Sequence, residues 1–404
     1  MGSSEFPLPR ALPDIPLAGK LLVRMLRGIE CGSLTLVDPD RTVLAFGQAG
    51  AMPQAELRLR DWRAAGEILR RGDVGFAHSL RQGWLECPDM LALFCLALSN
   101  EAQARQALSG RWWALLVDRL RHVFLRDNSR WGSRRNILAH YDLGNDFYGL
   151  WLDNGMTYSS ALFEGDLTRS LEDAQDAKYA RIIGQLDARP GDSVLEVGCG
   201  WGGFAQAAAE RGLKVTGITL SREQLAFAQA RMARHGLTDR VSLHLMDYRD
   251  LGEQRFDHIV SVEMIEAVGQ RRWPLYFSTL ARCLKPGGRV VIQSIDIEDA
   301  RFDAYSRTTD FIQQHVFPGG MLPSPSRIIS HAQHVGLKPV DCLDFGMDYA
   351  HTLERWRAAF EANLPAVMRM GFDDAFVRIW RMYLCYCEAG FRLGRTSVKH
   401  WTLE

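Results

Sequence analysis

Hydrophobic and polar positions along this chain follow two different rhythms. Over residues 21–29 apolar side chains recur at helical spacing, and two short alternating runs follow, 33–37 and 42–46, on either side of Asp38-Pro39-Asp40. This pattern predicts a helix leading into a β-hairpin. A strand at 55–60, a helical run at 62–71, a glycine-punctuated stretch to Gly83 and an apolar helix at 89–98 complete a small α+β domain of about 100 residues. From residue 193 the rhythm changes. Apolar strands at 193–197, 214–219, 241–246, 256–262 and 289–295 alternate with helices that begin at Phe204 and Arg222 and span 273–283, and Lys285-Pro286-Gly287-Gly288 makes the turn before the last strand. Alternation at these lengths predicts an α/β fold with a doubly wound parallel sheet and ligands at the carboxyl ends of its strands. The helical stretches 303–315 and 352–392 exceed what such a sheet needs, which makes them candidates for a substrate-side cap. The predicted organisation is an α+β domain over 1–110, a linking segment over 111–135 and an α/β domain over 136–404.

The linking segment is basic. Residues 105–135 carry eight arginines against Asp118 and Asp127, and over 112–125 the side chains of Trp113, Leu116, Val117, Leu120, Val123 and Phe124 share one helical face. Two uses fit such a helix: packing on a neighbouring domain, or lying on an anionic lipid surface. Elsewhere charge is balanced, with 48 basic and 48 acidic side chains, so bulk charge gives no argument for a nucleic-acid partner. The eight cysteines show no CxxC pair or zinc spacing and read as reduced thiols, and His315, His331, His334 and His351 are not spaced with carboxylates as a metal set. No apolar run reaches the about 20 residues of a membrane-spanning helix. The expectation is a soluble, cytoplasmic protein without a metal.

The chemistry is concentrated after the first strand of the α/β region. Val194-Leu195-Glu196-Val197 has the β-branching of a buried parallel strand, and Gly198, Gly200 and Gly202 follow with Cys199 between the first two. Glycines at this point let backbone turn tightly against a ligand. The spacing Glu-x-Gly-x-Gly-x-Gly is one residue shorter than the dinucleotide pattern, and no Lys-Ser/Thr follows to hold a triphosphate. Both differences point away from NAD and ATP.

Five motifs in order carry a resemblance: His140-Tyr141-Asp142-Leu143-Gly144-Asn145-Asp146-Phe147, Met156-Thr157-Tyr158-Ser159, Glu196 to Gly202, Gly217-Ile218-Thr219-Leu220-Ser221 and Phe317-Pro318-Gly319-Gly320. From about residue 130 to its end the chain resembles the cyclopropane fatty acid synthases and the related mycolic acid methyltransferases, and residues 72–87 loosely resemble the amino-terminal domain of the bacterial synthases. The resemblance implies a class I S-adenosylmethionine (SAM) methyltransferase fold and methyl transfer to a cis double bond of a phospholipid acyl chain, with loss of a proton closing a cyclopropane ring. It further implies that Gly198 and Gly200 lie against the methionine and ribose of SAM, that Thr219 and Gln224 hold the ribose hydroxyls, and that Tyr158 and Ser159 belong to a lid. Asp247 would accept from the adenine amino group and Tyr248 would lie on its ring.

For the chemical step, Glu266 matches the family's active-site glutamate and Tyr349 its tyrosine, a ring face for a cationic chain. The family's base is a bicarbonate held by cysteine, glutamate, histidine, tyrosine and a backbone group. Here Ser160 stands at the cysteine position, Gln293 at the histidine position and Ile295 at the backbone position, so neither substituted side chain brings positive charge to an anion. This leaves three outcomes open: ring closure, a methyl- or methylene-branched chain, or a non-catalytic SAM- or lipid-binding homologue. Cys387 matches a cysteine often treated as catalytic, although alkene methylation has no step requiring a thiolate. The implied setting is the inner, anionic membrane face, with the enzyme peripheral and a homodimer.

Overall fold

The computed structural model describes residues 15–103 and 143–404, which fall into two compact units. The first contains 15–103 together with 308–314 and 365–393; the second contains 143–307, 315–364 and 394–404. The predicted basic helix at 112–125 lies outside the described residues.

The first unit is built on a four-stranded sheet in the order β2-β1-β3-β4, from β1 (Ser33–Val37), β2 (Val43–Gly47), β3 (Gln54–Leu59) and β4 (Leu85–Glu86). The predicted hairpin is present: Val37 pairs with Val43, and the Asp38 carboxylate closes the turn by accepting from the Thr42 amide at 2.7 Å. Alternation buries Leu34, Leu36, Leu44, Phe46, Leu57 and Leu59 on one face. The glycine-punctuated stretch, to which the sequence assigned no element, is largely helical. The helix Arg63–Arg81 runs through it, kinked at Gly72, whose φ of 58° only glycine adopts at little cost. Asp73 restarts the helix and also ties in the late segments of this unit, accepting from the Phe311 amide at 3.0 Å and the Tyr386 hydroxyl at 3.2 Å.

The second unit contains a seven-stranded sheet, order β10-β11-β9-β8-β5-β6-β7. Its strands are β5 (Ser193–Val197), β6 (Lys214–Thr219), β7 (Val241–Leu245), β8 (Phe256–Val262), β9 (Leu284–Ile297), β10 (Pro339–Asp344) and β11 (Thr396–Leu403). Strands β5 to β9 are parallel, as predicted; β10 and β11 add an antiparallel edge that the sequence reading did not assign. Residues 285–288 loop out between Leu284, opposite Phe256, and Arg289, opposite His258, so the predicted turn interrupts the pairing of β8 and β9. Helices cover both faces, and the pleat of β5 sorts the core. Leu195 and Val197 pack with Ile259, Ile292 and the helix Trp273–Cys283, while Val194 packs with Val260, Val291 and the helices Leu171–Leu186 and Gly203–Glu210. After β7 the chain returns to the far side of β5. That reversal opens a crevice at the carboxyl ends of β5, β6 and β8. Among the described residues no helix is long and apolar enough to cross a membrane.

Candidate active site

A cavity occupies that crevice, and backbone makes its floor. Gly198, at φ 86°, follows β5, and the amides of Gly198 and Cys199 donate to the Ile218 carbonyl at 3.0 and 2.9 Å, clipping the loop to β6. A Cβ on Gly198 would come within 3.0 Å of the Met264 side chain. Gly198, Cys199 and Gly200 line the cavity, but Gly202 does not. Gly202 instead permits close helix packing, since its Cβ would meet Ala228 at 3.0 Å on the helix Arg222–Arg234.

Side chains at the next strand end add polarity. Thr219 Oγ1 donates to Gln224 Oε1 at 3.0 Å, and both residues line the cavity; Ser221 caps the helix Arg222–Arg234, leaving the Thr219–Gln224 pair turned to the ligand space. Tyr248 lines the wall, and its hydroxyl has no partner among the described residues. Asp247 is placed differently. Its carboxylate receives the Arg249 amide and guanidinium and caps the turn Tyr248–Asp250, and it does not line the cavity.

The segment 156–159 forms the opposite wall. Tyr158 packs with Trp151 at 5.4 Å, Trp356 at 5.3 Å and, stacked, Phe317 at 6.3 Å between ring centroids. Lys178, fully buried, donates to Ser159 Oγ at 2.7 Å and Gln175 Oε1 at 2.6 Å, and burial pushes its ammonium down to about 8. Trp201 Nε1 donates to Asn145 at 2.7 Å, and Arg231 donates to the Gly155 and Trp201 carbonyls. The wall is thereby fastened to the glycine loop.

Two carboxylates stand where β8 ends. Glu263 lines the cavity in left-handed backbone, φ 48°, an arrangement that costs a non-glycine residue about 1 kcal/mol or more. Its Oε1 accepts from the Ser160 amide at 2.8 Å and Gln293 Nε2 at 2.7 Å, and its Oε2 accepts from the Tyr349 hydroxyl at 2.8 Å. Burial raises its pKa, while these donors and Lys178 oppose the rise. Glu266 accepts from the Ile295 amide at 2.5 Å, and its other oxygen is buried without a partner among the described residues. Burial first and then the Glu263 charge push it up to about 8. The Ser160 hydroxyl donates to the Ala161 carbonyl.

Glycine floor, polar strand end and acidic wall together suit a nucleoside that carries a cationic sulfur. Glu196, at the head of the glycine motif, adds a buried carboxylate to the lining with one oxygen unpartnered among the described residues. A family model described as mycolic acid cyclopropane synthetase matches residues 128–401. The chain belongs to this family.

Relatives agree with the assignment. A tuberculostearic acid methyltransferase of Mycobacterium tuberculosis is 39% identical over 98% of this chain and 92% of its own length. The cyclopropane-fatty-acyl-phospholipid synthase of Escherichia coli K12 is 34% identical over 85% of this chain and 86% of its own. A crystal structure of a mycolic acid cyclopropane synthase complexed with SAH and CTAB superposes with a TM-score of 0.62 at 31% identity, covering 67% of this chain and 97% of that one. This cyclopropane synthase family member is therefore a SAM-dependent methyltransferase acting on lipid, with SAM as its cofactor.

The family pattern and the geometry part at the anion site. The donors that the resemblance gives to bicarbonate are already engaged: Gln293 and Tyr349 by Glu263, the Ser160 hydroxyl by the Ala161 carbonyl and the Ile295 amide by Glu266. A second anion beside these two carboxylates lacks donors and meets negative charge, so the residues present do not fit bicarbonate. Cys387 is not among the residues that line the cavity; it sits in the first unit, on the helix Asp374–Arg392, with its thiol pushed up by burial. Sequence reasoning missed Glu263, Glu196 and Lys178. Two signals for them were readable, a carboxylate directly after an apolar parallel strand and a lysine within the buried stripe Ala174, Gln175, Lys178, Tyr179 and Ile182.

Proposed function

We propose that this enzyme methylates the cis double bond of an unsaturated phospholipid acyl chain and closes a cyclopropane ring. The observation that carries the reading is the aromatic wall joined to the cofactor cavity. Trp151 packs edge to face on both Tyr158 and Trp356, Tyr158 and Trp356 pack tilted at 5.3 Å, and Tyr349 lies 6.0 Å from Trp356 between ring centroids. SAM supplies an electrophilic methyl group; an alkene that accepts it becomes a carbocation, and a charge on carbon in an apolar site is costly unless π faces or carboxylates lie near it. Methylation of an amine or hydroxyl makes no such demand. The name of the Escherichia coli relative supports phospholipid as the carrier.

A branched product is the second reading, favoured by the 39% identity, over nearly the whole chain, to a tuberculostearic acid methyltransferase. Labelled SAM incubated with vesicles of unsaturated phospholipid tests both. Release of S-adenosylhomocysteine with unsaturated but not saturated chains is expected, and proton NMR then separates cyclopropyl signals from methyl or methylene branches. No release with any unsaturated phospholipid would refute the substrate. The basic residues of 105–135 support docking on an anionic membrane, so replacing Arg119, Arg121 and Arg126 by glutamine should weaken binding to anionic vesicles but not to neutral ones.

A further inference from the structure

We propose that Glu263 is the general base of this enzyme, its own carboxylate standing where the family resemblance puts a bound bicarbonate. The inference rests on the reading that an alkene is methylated. Three elements far apart in sequence converge on this one side chain: Ser160 from the cavity wall, Gln293 from β9 and Tyr349 from the helix Gly346–Ala362. Such convergence on a single carboxylate, held in left-handed backbone on the cavity wall, is a built anion site whose anion is covalently part of the chain.

The donors are themselves oriented. Gln293 pairs with His400 across β9 and β11, and His400 Nε2 lies 2.8 Å from Gln293 Oε1. Burial pushes His400 down to about 3, so the ring is neutral, and with the proton on Nε2 it donates to the amide oxygen. That bond leaves the Gln293 amide nitrogen facing Glu263. The buried Lys178 adds a positive field, Glu266 stands within charge range of Glu263, and Glu196 is a further buried carboxylate in the lining. The two acids divide their roles by environment: three donors favour the anion on Glu263, while Glu266, with one donor and a bare oxygen, favours the proton.

The step balances without another reactant. The alkene π pair forms the bond to the methyl carbon as the sulfur–methyl bond breaks, giving S-adenosylhomocysteine and a cationic chain. A C–H bond of the new methyl group then breaks, its electron pair joins the cationic carbon to close the ring, and the proton passes to a Glu263 oxygen. Solvent takes that proton when the products leave.

The test uses the full-length protein, SAM and vesicles of dioleoyl phosphatidylglycerol, in carbonate-depleted buffer with and without added bicarbonate. Wild-type turnover should change by less than about twofold on adding bicarbonate, and Glu263→Gln should lower kcat by about 100-fold or more while S-adenosylhomocysteine affinity stays within about threefold. Glu263→Gly, which suits the left-handed backbone and frees the donors, should be equally slow and regain about tenfold or more with bicarbonate or formate. Strong bicarbonate stimulation of the wild type, a Gln variant near wild-type rate, or a folded Gly variant without rescue would each overturn the base assignment. Where the Gly variant does not fold, the Gln variant and the bicarbonate response decide. A wild-type protein that turns over alongside an equally active Gln variant sinks only the base; a wild-type protein that never turns over sinks the substrate reading and the base with it.

Discussion

At the carboxyl ends of β5 and β6 the cavity is made mostly by backbone, whereas at the end of β8 its wall is Glu263, held from behind by side chains that depend on one another. The first region consists of a glycine turn clipped to Ile218 and the Thr219–Gln224 pair, all within residues 198–224. The second joins Ser160, Glu263, Gln293, Tyr349 and His400, which span 240 positions between Ser160 and His400. A cradle made of backbone tolerates little change because its geometry is steric. A cluster made of side chains can exchange members together: serine and glutamine stand where the family pattern has cysteine and histidine, and the Glu263 carboxylate engages the glutamine amide and the backbone amide of the serine. The difference separates a part of this site fixed by local backbone from a part fixed only by the tertiary fold.

Substitutions that strike one region and spare the other test this contrast. The largest effect belongs to Gly198→Val. A β-branched residue at φ 86° is strained, and its Cβ would press on Met264. Affinity for S-adenosylhomocysteine should fall by about 100-fold or more, measured by titration calorimetry on a variant whose circular dichroism shows it folded. Retained binding would mean that the backbone turn is not what holds the cofactor.

Next comes Glu266→Gln, which acts on rate and stability in opposite directions. The Glu266 carboxyl is raised from 4.5 to about 8, so between those values the folded protein binds more protons than the unfolded chain, and stability is lost as pH rises through that window. The glutamine variant lacks this loss. It should be more stable than wild type at pH 8, on the order of a few kcal/mol, with the difference closing near pH 4.5, while kcat drops by about tenfold or more. Asp296, Lys178 and His400 also titrate abnormally but are common to both proteins, so their effects cancel in the comparison. Equal melting temperatures across that range would show that Glu266 is not a buried, mostly protonated acid.

The same contrast explains what was legible in the sequence. Strands β5, β8 and β9 were readable because burial on both faces leaves nearly continuous apolar runs, β7 because its apolar residues alternate, and the cradle because its glycines are closely spaced. Strands β10 and β11 were not, since the alternation in Thr396–Leu403 includes Lys399 and His400, whose partners Asp296, Asp344 and Gln293 are supplied only by the folded chain. The helix Arg63–Arg81 was legible only as far as Arg71, because Gly72 and Gly75 hide its continuation beyond the kink. Glu266 was legible by resemblance. Glu263, three residues earlier, was signalled only by its place directly after an apolar strand, and the three donors that give it importance are announced by no local spacing.

Smaller effects refine the cradle itself. Gln224→Leu removes the partner of Thr219 and a polar group from the cavity, and should weaken S-adenosylhomocysteine by about tenfold with kcat at saturating SAM nearly unchanged. The smallest expected effect belongs to Asp247→Asn. Resemblance gives this carboxylate the adenine amino group, but here both oxygens are engaged by Arg249 within a turn and the residue stands off the cavity wall. An amide keeps the oxygen that caps the turn and gives up mainly the ion pair with Arg249, so cofactor affinity should change by less than about threefold. A loss of about tenfold or more would mean that Arg249 releases Asp247 when the cofactor enters, and that this edge of the cradle, unlike the glycine floor, is built only on binding.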